Sequence, residues 1–229
     1  MSEGDSCDIT AKGSCCSSSA PQQEDKDYQA HWNKAYANNP HEKLGWFETD
    51  LSPMFQLIDA SKITKSSKII NIGAGSTVLI DELLKQNFTN LIATDISEVA
   101  LTQLENRVNS TNVEFIIDDL TAPTTLKNIP AIDLWIDRAV LHFFTEEKDQ
   151  NTYFELLKSK VKKDGFVIFA EFGLGGAKKC SGLDVHRYCN VQFQEKLGVE
   201  FKKLDSFNYS YTMPSGDLRE YIYSLFIRL

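Results

Sequence analysis

At 229 residues the chain is long enough for one large domain, or for one domain with a tail. Its 24 basic against 32 acidic residues leave a net charge of −8, which argues against a nucleic-acid partner, because neutralising phosphates takes a basic footprint. No apolar run approaches the roughly 20 residues that span a bilayer, and the first residues lack the apolar core of a signal peptide, so the expectation is a cytoplasmic protein with no membrane partner.

Residues 1–26 are rich in Ser, Gly, Asp, Glu and Gln, with Ile9 as the one sizeable aliphatic. Such a stretch buries too little surface to offset its ordering entropy, and it reads as a disordered tail. The tail holds Cys7 and the adjacent Cys15 and Cys16. They are either incidental thiols or soft ligands that fold over a binding site and meet a thiol or metalloid. From Asp27 a single domain begins, its first part (about 27–62) reading as a helical lid. Tyr28, His31, Trp32, Ala35 and Tyr36 recur at helical spacing until Pro40 stops the pattern. Trp46 follows in a loop and is the better candidate to cover a ligand, and a second helix spans about Pro53 to Ala60.

Lys68 to Ser97, KIINIGAGSTVLIDELLKQNFTNLIATDIS, organises the rest. Ile69, Ile70 and Ile72 form a short strand that ends at Gly73-Ala74-Gly75, a helical pattern follows, and a second strand ends in Asp95. In a βαβ unit this sets a backbone open to close approach beside a carboxylate that accepts two ribose hydroxyls. A dinucleotide fingerprint wants a further glycine where Thr77 stands, and no P-loop Gly-Lys-Ser/Thr is present. S-adenosylmethionine, which carries no phosphate, fits better, with Asp95 and Ile96 on its nucleoside. After a helix from Glu98, strand three (Val113 to Ile117) closes on Asp118-Asp119-Leu120. Asp119 is favoured to accept the adenine amine, with Leu120 packing on the ring, although Asp118 can exchange roles with it.

Strand four, Ala131 to Asp137, runs into Arg138-Ala139-Val140-Leu141-His142-Phe143-Phe144. With this segment the order of motifs resembles the class I, seven-stranded S-adenosylmethionine-dependent methyltransferases over about residues 44–229. More narrowly, DLWIDRAVLHFFT and KKCSGLDVHRY are similar to a poorly characterised group within that class. The resemblance implies an α/β, Rossmann-like sheet of order 3-2-1-4-5-7-6 with strand seven antiparallel. It implies cofactor contacts from Trp46, Asn71, Gly73, Gly75, Asp95, Ile96, Asp119, Leu120 and Asp137. The chain departs from the family at Asn71, where an acid commonly faces the methionyl end, and at Thr77, where a third glycine is usual.

Strand five, Phe166 to Phe172, leads into a glycine-rich loop with Cys180, His186, Arg187, Tyr188 and Cys189. Loops beyond the carboxyl ends of parallel strands hold ligands, so Cys180, His186, Arg187 and Tyr188 are the expected substrate residues. Methyl transfer needs an aligned nucleophile and, for a protonated one, a base. Asp137 and His142 are candidate bases, and Arg138 either holds a carboxylate or pairs with Asp137. No metal site is expected. Phe201 to Tyr211 and Glu220 to Ile227 read as a closing antiparallel pair.

Three functions remain open from the residues. The first is a methyltransferase for a small acceptor, in particular a thiol, selenol or trivalent arsenic. The second is a protein lysine methyltransferase whose acidic surface attracts a basic partner. The third is a nicotinamide oxidoreductase or a non-catalytic binding module, although no Tyr-x-x-x-Lys occurs in the chain.

Overall fold

The computed structural model describes residues 27–75 and 77–229. The expected tail, with Cys7, Cys15 and Cys16, lies outside the described residues. Nine strands and six α-helices are formed among those described. The strands β1 (Ile69–Ile72), β2 (Leu91–Asp95), β3 (Val113–Ile117), β4 (Ile132–Arg138) and β5 (Val161–Phe172) alternate with helices in the first part of the chain. After β5 come a two-residue pair, β6 (Lys179–Cys180) and β7 (Leu183–Asp184), then β8 (Phe201–Thr212) and β9 (Leu218–Arg228).

The main sheet runs β3-β2-β1-β4-β5-β9-β8. Its first five strands are parallel, and β9 lies antiparallel to both β5 and β8. Counting the seven strands of this sheet alone, the order is the expected 3-2-1-4-5-7-6 with strand seven antiparallel. The apolar β1 run is buried at all four positions, as a parallel strand covered on both faces must be. Side chains alternate between the faces. Ile69, Leu91, Leu134 and Ile168 pack with α2 (Ser52–Ser61), α3 (Leu79–Lys85) and α4 (Glu98–Val108). Ile70, Ile92, Trp135 and Val167 pack on the other face with α5 (Glu147–Lys160) and α6 (Asn190–Leu197).

The helix α2 buries Met54, Leu57 and Ile58 in the first of these cores. Of the segment 27–62 expected as a lid, α2 is therefore part of the body. What lies over the strand ends is α1 (Tyr28–Asn38) and the loop through Trp46. Asp27 caps α1 by accepting from the Ala30 N–H at 2.9 Å. Ser97 caps α4 in the same way, accepting from Ala100 N–H at 3.2 Å, and these side chains satisfy amides that a helix start leaves free. Among the described residues no helix is long and apolar enough to cross a membrane.

Candidate active site

The strand order reverses at β1, which has β2 on one side and β4 on the other. A crevice opens there beyond the carboxyl ends of the strands. Both glycines of the β1 turn have left-handed backbone, φ +58° at Gly73 and +49° at Gly75, a region that excludes most side chains. A Cβ at Gly73 would stand 2.0 Å from Val140 Cγ2, and one at Gly75 2.3 Å from the Tyr36 hydroxyl. Val140 and Tyr36 therefore close directly on the glycine turn.

Asp95 ends β2 with its carboxylate against this turn. One oxygen accepts from Gly75 N–H at 2.9 Å and the other from Ser97 N–H at 2.8 Å. Burial pushes its pKa up to about 6, against backbone donors that pull it down. Beyond β3 the two aspartates divide their work. Asp118 accepts from Thr124 N–H, Thr124 Oγ1 and Leu126 N–H at 2.8–3.0 Å, so it ties the loop after β3. Asp119 accepts from Thr121 N–H and Oγ1 through Oδ1, which leaves Oδ2 for a ligand.

Asp95, Ile96, Asp119, Leu120, Gly73, Trp46, Arg138 and Cys180 all line one cavity. Trp32 from α1 sits edge-on to Trp46 at 5.3 Å and to Phe143 at 5.0 Å. The Trp46 indole N–H donates to the Tyr36 hydroxyl at 3.2 Å. Trp32 and Tyr36 thus form part of the cavity's aromatic wall. Cys180 is a half-buried free thiol. Asn71 lies in an adjoining chamber on the far side of Gly73, where Glu48 and Arg138 also stand.

Three expectations need correction. Asp137 and His142 have no exposure and neither lines the cavity. Asp137 accepts from the Tyr153 hydroxyl at 2.6 Å and from Val140 N–H at 3.1 Å. His142 stacks on Phe172, and its Nδ1 comes within 2.8 Å of Glu171, off the hydrogen-bonding direction. Both polar groups have been drawn into a buried network behind Val140. Arg138 pairs with Glu48, at 2.6 Å, and not with Asp137. Of the substrate loop only Cys180 reaches the cavity. His186 N–H bonds to the His142 carbonyl, Arg187 binds the Leu174 carbonyl, and Tyr188 stacks on Phe193 at 4.9 Å. The loop folds back on itself there, with β6 and β7 as its hairpin, and the His186 backbone with the Arg187 and Tyr188 side chains supports its base. Cys189 stands outside the lining, at the cap of α6.

The sequence reading missed Tyr28, Thr94, Val140, Phe143, Phe144 and Glu48. The aromatic pair after Arg138 was visible as a motif, but nothing local marked Glu48, whose partner is 90 residues away in the chain. A nucleoside fits this cavity. Asp95 lines it, Asp119 has a spare oxygen, and the buried hydroxyl of Thr94 on its wall has no partner among the described residues.

Residues 69–165 match a family described as a methyltransferase domain. A curated relative, EEF1A lysine methyltransferase 2 of Danio rerio, is 23% identical over 154 residues. That match covers 60% of this chain and 65% of the relative, so the chain spans just under two thirds of the relative's length. Among solved structures, a SAM-dependent methyltransferase from Anabaena variabilis superposes with a TM-score of 0.71 at 15% identity, over 88% of this chain and 93% of that one. The N-methyltransferase NodS from Bradyrhizobium japonicum, in complex with S-adenosyl-L-homocysteine, gives 0.65 at 12% identity over 89% and 99%. At such identities the structures establish the fold. Residues 69–165 thus match a methyltransferase domain, and the chain has the fold of the S-adenosylmethionine-dependent methyltransferases.

Proposed function

We propose that this chain methylates a small acceptor that attacks through a soft atom: a thiol, a selenol or a trivalent arsenic centre. When bound, S-adenosylmethionine supplies a methyl group on a sulfonium, open to direct displacement. Asp95 takes the ribose hydroxyls, Ile96 and Leu120 flank the adenine, and Asp119 accepts its amine. Gly73 and Gly75 let the backbone approach, and Trp46 covers the bound nucleoside. Asp137, which touches no ligand, holds Val140 against Gly73 and so positions the floor.

The observation that carries the choice of acceptor is the cavity wall beside Arg138. It is made of Trp32, Trp46, Phe143 and Phe144 with the Cys180 thiol. Among the described lining residues the carboxylates are Asp95, Asp118 and Asp119, all at the nucleoside end, and no imidazole is present. A lysine ammonium must lose a proton before it attacks, and this wall offers it no base. A thiol near its pKa of about 8.5 is already part thiolate at neutral pH. The α1 helix across the opening suits a small molecule better than a protein side chain. Arg138 and Cys180, one from each of the segments that resemble the narrower methyltransferase group, both face this space.

Lysine methylation remains the second reading. The relative named as a lysine methyltransferase and the net charge of −8 favour it. Incubation with S-adenosylmethionine and either a panel of small thiols, selenols and arsenite or lysine-rich peptides, with product S-adenosylhomocysteine measured by mass spectrometry, separates the two. Turnover on a member of the panel is expected. Turnover on the peptides alone contradicts the proposal.

A further inference from the structure

The chamber beyond Gly73 is a continuation of the nucleoside cavity: the two share Tyr36, Trp46, Gly73 and Arg138. It is also where a cation and a carboxylate meet directly, Arg138 against Glu48. Among the described lining residues of both spaces Arg138 is the one cation. Its guanidinium is fixed from several sides. Nη1 donates to the Trp46 carbonyl at 3.0 Å, and the rings of Tyr211 and Tyr221 lie 5.3 and 5.1 Å away. Nη2 stands 2.6 Å from Glu48 Oε2. Neither Nε nor Nη2 makes a well-directed hydrogen bond, although both are buried. Glu48 is 8% exposed, and its other oxygen accepts from the Tyr209 hydroxyl at 2.9 Å. Asp50, the other carboxylate of this chamber, is exposed and takes up the Ser52 N–H.

Resting on the cofactor reading above, we propose that Glu48 and Arg138 clamp the zwitterionic amino-acid end of S-adenosylmethionine, Glu48 binding the ammonium and Arg138 the carboxylate. An α-amino acid carries both charges on one carbon, so it needs an anion and a cation fixed a few ångströms apart. The chamber presents that pair, with guanidinium donors to spare for a carboxylate. Asn71, on β1 and 4% exposed, lines the same chamber but brings no charge. Glu48 thus supplies the negative charge that position 71 lacks, from the loop that also carries Trp46. A buried ion pair with unfilled donors is costly to keep. A ligand that brings both complementary charges turns it into a closed four-charge array.

The test compares S-adenosylhomocysteine with 5′-methylthioadenosine, which has the same nucleoside and thioether sulfur but no amino acid, by calorimetry on the full chain. Wild type is expected to bind S-adenosylhomocysteine at least about tenfold more tightly. Glu48→Gln and Arg138→Lys are expected each to weaken S-adenosylhomocysteine about tenfold or more, the scale of a lost charge-assisted hydrogen bond. Methylthioadenosine should stay within about twofold, which also reports that each variant is folded. Asn71→Asp added to Glu48→Gln should recover part of the loss. Equal losses for both ligands, or unchanged S-adenosylhomocysteine affinity in Glu48→Gln, overturn the clamp while the methyltransferase reading stands. Failure of wild type to bind either ligand overturns both.

Discussion

Asp137 and Glu171 are close neighbours in a site with no solvent exposure. Burial raises both above the ordinary carboxylate range, Glu171 to about 8. Their neutral forms are favoured because two anions cannot share a dry site. The folded state therefore keeps a proton that the unfolded chain releases above about pH 4.5. The resulting stabilisation is full below the unfolded value and is lost as pH rises towards 8. Thermal melts from pH 5 to 8 should show the midpoint falling with pH, and Glu171→Gln should flatten that slope. A wild-type midpoint that rises across this window contradicts the assignment. The neighbouring aspartates of the β3 loop make a second residue-level prediction. Asp118→Asn weakens the acceptor for four donors, Thr124 N–H, Thr124 Oγ1, Leu126 N–H and Asp119 N–H, and should destabilise the fold by about 1–3 kcal/mol in denaturant titrations. Asp119→Ala should leave stability nearly unchanged and lower nucleoside affinity. The reverse pattern would exchange their roles.

The element that decides access is α1. It fully buries Tyr36 and packs the half-buried Trp32 on Trp46 and Phe143, and its remaining ties to the body are polar contacts. Asn33 Oδ1 accepts from Ser97 Oγ at 2.8 Å and Val99 N–H at 3.3 Å, Gln29 donates to the Ile96 carbonyl, and Gln103 donates to the Tyr36 carbonyl. Such contacts contribute about 1 kcal/mol each, far less than the buried faces of α2 or α5, so α1 should open without global unfolding. Asn33→Ala should speed amide exchange over residues 28–38 and leave the sheet unaffected, and S-adenosylhomocysteine should slow exchange in the wild-type segment. Exchange in α1 as slow as in β1, and insensitive to ligand, would make it a fixed wall. At the other edge, the β8–β9 pair reaches the site through its tyrosines. Tyr209 binds Glu48, the Tyr211 hydroxyl binds the Phe47 carbonyl, and Tyr221 flanks Arg138. The closing hairpin of the sheet thus orients the loop that carries Trp46.

Across the whole molecule, what was legible in the sequence was what local chemistry writes down. The Gly73 to Gly75 turn, the carboxylates ending β2 and β3 and the apolar parallel strands each follow from a few adjacent residues and mark the strand-end cavity, whereas the sheet order was implied by the family resemblance that these motifs carry. The loop after β5 misled for the opposite reason. His186, Arg187 and Tyr188 have reactive side chains, but which way they point depends on contacts with Gln192, Leu174 and Phe193. Arg138 and Glu48, and Glu171 behind Val140, are contacts between distant segments with no periodic signal to mark them. The cavity is thus an assembly of a readable strand-end motif and an unreadable cover.

Whether the strand-end cavity holds S-adenosylmethionine through Asp95 is decided by calorimetric titration of wild type and Asp95→Ala with S-adenosylmethionine, S-adenosylhomocysteine and NAD. One saturable site is expected for the two sulfur nucleosides and none for NAD. Asp95→Ala should lose roughly 2 kcal/mol or more, since charge-assisted hydrogen bonds to the ribose are removed. Equal affinity in Asp95→Ala, or binding of NAD in place of the sulfur nucleosides, would overturn the assignment of Asp95 and of the cofactor.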